Sequence, residues 1–147
     1  MKPLAEMTPQ ELAEACARIM WEDDNASQAL GMELVHIAPG EADMRMTVTK
    51  TMTNGHGNMH GGYLFALADS AFAFACNTYN QMTVAQHCAI TYVKPGALGD
   101  VLTAHAREVS KEGRSGIYDI SLTREDGTVI AEFRGHSRTV NRTFLTE

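Results

Sequence analysis

Asn54-Gly55-His56-Gly57-Asn58-Met59-His60-Gly61-Gly62-Tyr63-Leu64-Phe65-Ala66-Leu67-Ala68-Asp69-Ser70-Ala71-Phe72-Ala73-Phe74-Ala75-Cys76 passes without a break from a glycine-rich loop into an apolar run. Apolar residues occupy every side of the helix that this run would form, and such a helix is a buried one. Asp69 stands in it with no opposite charge nearby in sequence. Burying an ionised carboxylate alone costs on the order of several kcal/mol or drives it to take up a proton, and a carboxylate so perturbed is a catalytic candidate. The junction between loop and helix offers unpaired backbone N–H groups at the positive end of a helix, where an anion or an oxyanion is held.

The central helix is expected from about Gly61 to Thr78. Before it, Thr8-Pro9-Gln10-Glu11 has the form of a capping box with proline at the first helical position. A helix from about Pro9 to Trp21 should follow, with Leu12, Ala15, Cys16, Ile19 and Met20 on its apolar face and Glu22 to Asn25 ending it. Gly31 to Ala38 and Glu41 to Thr49 flank the turn dipeptide Pro39-Gly40, and the second segment alternates Ala42, Met44, Met46 and Val48 with polar neighbours. That pattern predicts a hairpin.

After the central helix, Val84 to Lys94, Asp100 to Lys111, Arg114 to Arg124 and Thr128 to Thr143 read as strands. Lys94-Pro95-Gly96, Glu112-Gly113 and Asp126-Gly127 divide them, and as hairpin turn signals they predict an antiparallel sheet. Strands, one long apolar helix and four more strands make an α+β unit in which a sheet wraps a buried helix. A length of 147 residues fits one domain, expected to span 1–147.

With 12 Lys+Arg against 18 Asp+Glu the formal charge is -6, which argues against nucleic acid or an anionic membrane as the main partner. Cys16, Cys76 and Cys88 are widely spaced among apolar residues and read as reduced core thiols, which places the protein in the cytoplasm. Neither a signal peptide nor an uninterrupted membrane span is visible, since Asp69 breaks the best candidate.

The run Asn54-Gly55 to His60-Gly61-Gly62, with an aspartate in the following helix, resembles that of the hotdog-fold acyl-CoA thioesterases, and among them those of phenylacetic acid degradation. The likeness continues through Ala71 to Asn77, Lys94-Pro95-Gly96, Gly99-Asp100, Gly116 to Asp119 and Phe133-Arg134-Gly135, and covers about residues 25 to 140. The resemblance implies a long helix inside a curved antiparallel sheet, and homodimers that assemble to homotetramers. It implies that Asp69 is the catalytic carboxylate, that Gly61 supplies the backbone donor to the thioester oxygen, and that Asn54 and His60 surround the reacting carbonyl. The implied substrate is phenylacetyl-CoA or a ring-hydroxylated relative. One departure lies in the strand after the helix, where relatives often carry serine or threonine near the water; here Ala85, Gln86 and His87 stand, and Gln86 or His87 is left to take that part.

Thioester hydrolysis needs an oxygen nucleophile at the carbonyl carbon and donors for the oxyanion. Gly61 or Gly62, at the helix start, allows close approach to such a donor. Asp69 either deprotonates water or attacks the carbonyl itself, and the residues alone leave both routes open. Eight residues separate Gly61 from Asp69, or about 12 Å of helix at a 1.5 Å rise. One carbonyl hardly touches both, so either it meets a different donor or Gly61 of one subunit works with Asp69 of another; the second agrees with the paired subunits that the resemblance implies and is the expectation.

The phosphates of coenzyme A would need a local basic patch, for which Lys94, Lys111, Arg114, Arg134 and Arg138 are the candidates. Gly62 and Tyr63 join Lys94, Arg114 and Arg138 as substrate-binding candidates. Tyr63, Leu64, Phe72 and Phe74 are candidate walls for an aromatic acyl group, with plain core packing the commoner role for each. No metal or redox cofactor is expected, because His56 and His60 have no evident third ligand. Ser70 lacks the elbow motif of a serine nucleophile, and Asn54 also suits a simple turn. The competing functions are a hotdog-fold hydratase or dehydratase, which needs an acid/base pair not evident here, and a non-catalytic acyl-CoA sensor.

Overall fold

A computed structural model describes residues 1–147. Its helices are α1 (Pro9–Glu22), α2 (Asn25–Ala29) and α3 (Gly61–Cys76), and its strands are β1 (Glu33–Ala38), β2 (Glu41–Thr47), β3 (Thr83–Tyr92), β4 (Val101–Glu112), β5 (Ser115–Thr123) and β6 (Val129–Thr139). The capping box is formed: Glu11 N–H donates to Thr8 Oγ1 at 3.1 Å and Thr8 N–H donates to Glu11 Oε1 at 3.4 Å. The face that α1 buries is Ala13, Ala15, Cys16 and Ala17, while Leu12, Ile19 and Met20 flank it half-exposed. Small side chains let the helix lie close to its support. Gln10 Nε2 reaches the edge strand β1 and donates to Ile37 O at 2.8 Å. The short α2, too brief to show a helical period, starts at Asn25, where α1 was expected to end, and runs through residues that the sequence pattern assigned to no element; Asp24 caps it by accepting from Ser27 N–H at 3.0 Å.

All strands are antiparallel, in the order β1-β2-β4-β5-β6-β3. Pro39-Gly40, Glu112-Gly113 and Asp126-Gly127 close hairpins, each with its glycine in the left-handed region at φ 72°, 58° and 86°. Lys94-Pro95-Gly96 does not. β3 pairs with β6 and β4 with β2, so this segment is a crossover from the sheet edge to its interior. A Pro-Gly pair specifies a bend, not which strand is met afterwards. Here the bend supports the loop before α3, with Met59 N–H donating to Gly96 O at 2.8 Å.

One face of the sheet carries the core. Met44, Met46, Leu102, Ala104, Ile120, Leu122 and Phe133 alternate inward and meet Leu64, Leu67, Ala68, Ala71, Phe72 and Ala75 of α3. Gly135 is required there, because a Cβ at that position would fall 2.7 Å from the Phe72 ring. At the other end of α3, Asn77 Nδ2 donates to Ala73 O at 2.8 Å and Thr83 O at 2.9 Å, and its Oδ1 accepts from Thr83 N–H at 2.8 Å. These bonds fix where β3 starts.

Contrary to the all-round apolar pattern, α3 is not enclosed on every side. Tyr63, Ala66, Asp69 and Ala73 stay half-exposed along one stripe. The physical reason is the strand order: β3 is an edge strand, open on most of its length, so a single chain has no further strand with which to cover that side. No helix is long and apolar enough to cross a membrane.

Candidate active site

The Asn54 side chain organises the loop in front of α3. Its Oδ1 accepts from the N–H groups of His56 at 3.0 Å and Asn58 at 3.2 Å, and its backbone N–H donates to Asn58 O at 2.8 Å. The side chain therefore does act as a turn residue through its oxygen. Its Nδ2 has no partner within the chain and keeps two N–H donors to offer a ligand.

His60 is the N-cap of α3. Its Nδ1 accepts from Gly62 N–H at 2.9 Å, and its carbonyl accepts from Tyr63 N–H at 3.1 Å. In the neutral ring the proton is then on Nε2, pointing away from the cap. Of the first three helical amides, only that of Gly61 makes no hydrogen bond. Helix-start chemistry admits Gly61 or Gly62 and the resemblance points to Gly61; the cap commits Gly62 and leaves Gly61 as the free donor.

Tyr92, which the sequence reading missed, closes over this point. Its hydroxyl donates to Gly61 O at 3.1 Å, and a Cβ on Gly61 would lie 3.0 to 3.1 Å from its ring. Nothing in the local sequence marks Tyr92; it meets Gly61 because β3 runs back along α3 from the Asn77 end. A hollow of about 440 Å³ opens here, lined by Asn54, Gly61, Leu64, Tyr92 and Lys94 among others. His60, Gly62 and Tyr63 line a separate hollow of about 430 Å³ on the other flank of the helix start.

Asp69 lines neither hollow. It is half-buried, it makes no hydrogen bond or ion pair, and burial raises its carboxyl above the usual range. Cys88 and Cys76 are its thiol neighbours: burial pushes Cys76 up to about 12, and burial raises Cys88 too, with the Asp69 charge adding to both. All three cysteines are free, Cys16 and Cys76 in the core and Cys88 only half-buried on β3. Ser70 is tied to Ser27 by a hydroxyl pair at 2.8 Å, which accounts for a polar residue on an apolar helix.

The remaining candidates are scattered. Phe72 packs on Tyr118 and Phe133 and Phe74 on Trp21, so both belong to the core, as does Leu64. Tyr63 alone of the expected acyl walls is half-exposed. His87 turns to the sheet face away from α3 and meets His136, ring centroids 5.6 Å apart, while Gln86 sits at a bulge in β3. Arg134 is held by Asp119 through two bonds of 2.6 and 2.8 Å, and Lys111 lies 5.1 Å over the Tyr79 ring. Arg114 and Arg138 lie at the end of the sheet where β3 begins, far along α3 from Gly61.

A free backbone donor at a helix start, uncommitted amide donors beside it and an unpaired carboxylate on the same helix are the parts of an acyl-transfer site. The chain belongs to the thioesterase superfamily, whose family model matches residues 56–131; it has the α+β hotdog fold and is a thioester hydrolase. Among its relatives is the acyl-coenzyme A thioesterase PaaI of Escherichia coli K12, 41% identical over 89% of this chain and 94% of that one. The structure of the E. coli PaaI protein from the phenylacetic acid degradation operon superposes with a TM-score of 0.91, at 40% identity, over 92% of this chain and 99% of the other. A mutant of the phenylacetic acid degradation protein PaaI of Thermus thermophilus gives 0.77 at 38% identity, over 80% and 100% of the two chains. A hypothetical thioesterase protein of Streptococcus pneumoniae TIGR4 solved with coenzyme A gives 0.73 at 25% identity, over 76% and 90%.

Proposed function

We propose that this thioesterase hydrolyses phenylacetyl-CoA or ring-hydroxylated phenylacetyl-CoA to the free acid and CoA, as a cytoplasmic enzyme of phenylacetate breakdown. The observation that carries the chemistry is the pairing on one helix of an unpartnered, half-buried Asp69 with an uncommitted Gly61 N–H. The E. coli relative, named an acyl-coenzyme A thioesterase and solved as a protein of the phenylacetic acid degradation operon, supports the substrate class.

In this reading Gly61 N–H and Asn54 Nδ2 polarise the thioester carbonyl. The helix macrodipole adds to the first of these, and loss of one such donor typically costs about 100- to 1000-fold in rate. Asp69 activates water or attacks directly. His60 holds the helix start through Gly62 and presents Nε2–H to the leaving group. Tyr63 borders the acyl chain; Lys94, beside Gly61, and Arg114 and Arg138, at the far end of the sheet, are the cations offered to the anionic substrate. Hydrolysis by these groups calls for no metal or redox cofactor.

Two copies of the chain complete the site. β3 is an edge strand with Val84 48% and Tyr92 50% exposed, and an open apolar edge is a template for pairing. A two-fold contact through β3 would cover the open stripe of α3 and carry Gly61 of one subunit toward Asp69 of the other. The homodimer then pairs into a homotetramer, as in the family it resembles.

The deciding experiment is steady-state hydrolysis of aromatic and straight-chain acyl-CoA esters, following free thiol, by wild type and Asp69→Asn. The expected result is fastest turnover on phenylacetyl-CoA and a loss of at least a hundredfold in the folded variant. Preference for a straight-chain ester would remove the aromatic substrate, and an undiminished variant would remove Asp69 from the chemistry.

A further inference from the structure

Tyr92 is the last residue of β3, and strand alternation puts its side chain on the face of the sheet that Cys88 and Ile90 turn toward α3. The strand end that carries it is well anchored. Val93 and Lys94 N–H both donate to Ile130 O, at 2.8 and 3.1 Å, and Ile130 is fully buried. A fixed frame thus presents the Tyr92 hydroxyl to Gly61, 31 residues away in sequence.

The start of α3 needs such a frame. Gly61 and Gly62 are poor helix formers, because glycine loses the most backbone freedom on ordering. Yet the Gly61 N–H is the first-turn amide left free for a substrate. As the first residue of an α-helix, Gly61 already gives its carbonyl to the N–H of Phe65. The Tyr92 bond of 3.1 Å is therefore a second bond on a satisfied acceptor, which makes it a clamp and not the rescue of an orphan group. The Gly61 carbonyl and the Gly62 N–H belong to one peptide plane. His60 Nδ1 holds its N–H end at 2.9 Å, and Tyr92 holds its C=O end. The ring covers the remaining side: its Cζ, Cε1 and Oη would lie 3.0 to 3.1 Å from a Cβ on Gly61, in space that any side chain there would take.

An oxyanion donor has its value through preorganisation, since the N–H must already point to where charge develops. A misplacement of about 1 Å can cost about 100-fold in rate. We propose that Tyr92 is the positioning residue of the Gly61 donor: its hydroxyl and ring hold the first turn of α3 in the geometry in which Gly61 N–H meets the thioester oxygen. Tyr92 acts through Gly61 and not on the substrate. This role rests on the thioesterase reading and adds to it a residue from β3, together with a reason within the fold for glycine at position 61.

The test reads the clamp and the chemistry separately. Tyr92→Phe keeps the ring and loses the hydroxyl; kcat on the best acyl-CoA ester should fall about tenfold with KM within about twofold, at unchanged melting temperature and oligomeric state. Tyr92→Ala loses the ring as well and should fall about 100-fold, inside the range of about 100- to 1000-fold that loss of the donor itself costs. Gly61→Ala should lower kcat in the wild-type background and cost nothing further beside Tyr92→Ala, where its Cβ has room. Amide hydrogen exchange needs no hydrolysis: in Tyr92→Phe the bonded N–H groups of Gly62, Tyr63 and Phe65 should exchange about tenfold faster, with those of β3 and β6 unchanged. A rise in KM at constant kcat would make Tyr92 a wall for substrate, and a loss of activity that deepens on dilution would make it a subunit contact; either overturns the proposal. So does an unchanged kcat in Tyr92→Phe, or exchange that stays at the wild-type rate. If no ester were hydrolysed while first-turn exchange still depended on the Tyr92 hydroxyl, the clamp would stand and the activity reading would fail alone.

Discussion

Asp69 is held where its charge is disfavoured, and the consequence is readable in pH. Burial raises its folded-state value above the unfolded one of about 3.9. Below the unfolded value the carboxyl is neutral in both states. As pH rises, the unfolded chain releases its proton first, so the folded state binds more protons and stability falls until the folded value is passed. Asp69→Asn, neutral throughout, should therefore melt above wild type at pH 7, with the gap closing as the pH approaches 3; thermal melts across that range check it. A gap independent of pH would mean that Asp69 carries no burial penalty. At this scale the sequence was informative about Asp69, because a lone carboxylate in an apolar run is visible without coordinates. Helix-start chemistry alone did not separate Gly61, to which the resemblance points, from Gly62, because that choice depends on where the His60 ring turns.

At the C-terminal end of helix α3, one side chain holds the start of strand β3. Asn77 satisfies Thr83 on both its N–H and C=O, and both residues are buried. Asn77→Ala leaves those groups without partners, and chemical denaturation should report a loss of about 1–3 kcal/mol. An unchanged midpoint would show that water replaces the amide there. The elements themselves were largely legible: Thr8-Pro9-Gln10-Glu11 states a helix start in local chemistry, and the hairpin glycines state their turns. Lys94-Pro95-Gly96 misled for the same reason. Local chemistry shapes a bend, while the choice between β6 and β2 as neighbours is made by long-range pairing.

For the whole molecule, the separation of Gly61 from Asp69 is the decisive geometry. They are about 12 Å apart along α3, and the hollow beside Gly61 excludes Asp69. A site shared between two copies predicts complementation. Asp69→Ala and Gly61→Pro chains should each be inactive alone, proline suiting the first helical position while removing the N–H, with the Tyr92 ring giving a few tenths of an ångström to its Cβ. In a verified mixed dimer one site keeps both wild-type groups and the other loses both, so about half the wild-type activity should return. No recovery in such dimers would place the whole site within one chain.

Composition, capping chemistry, hairpin glycines and the loop-to-helix run from Asn54 to Cys76 were enough, by themselves, to determine an α+β chain with an apolar central helix, its antiparallel sheet and its isolated carboxylate. These are local patterns, and each is written in residues close together along the chain. Tertiary structure decided the strand order, the exposed side of α3 and the free amide of Gly61 beneath Tyr92. Each of these joins residues distant in sequence, and only the folded path of the backbone brings them together.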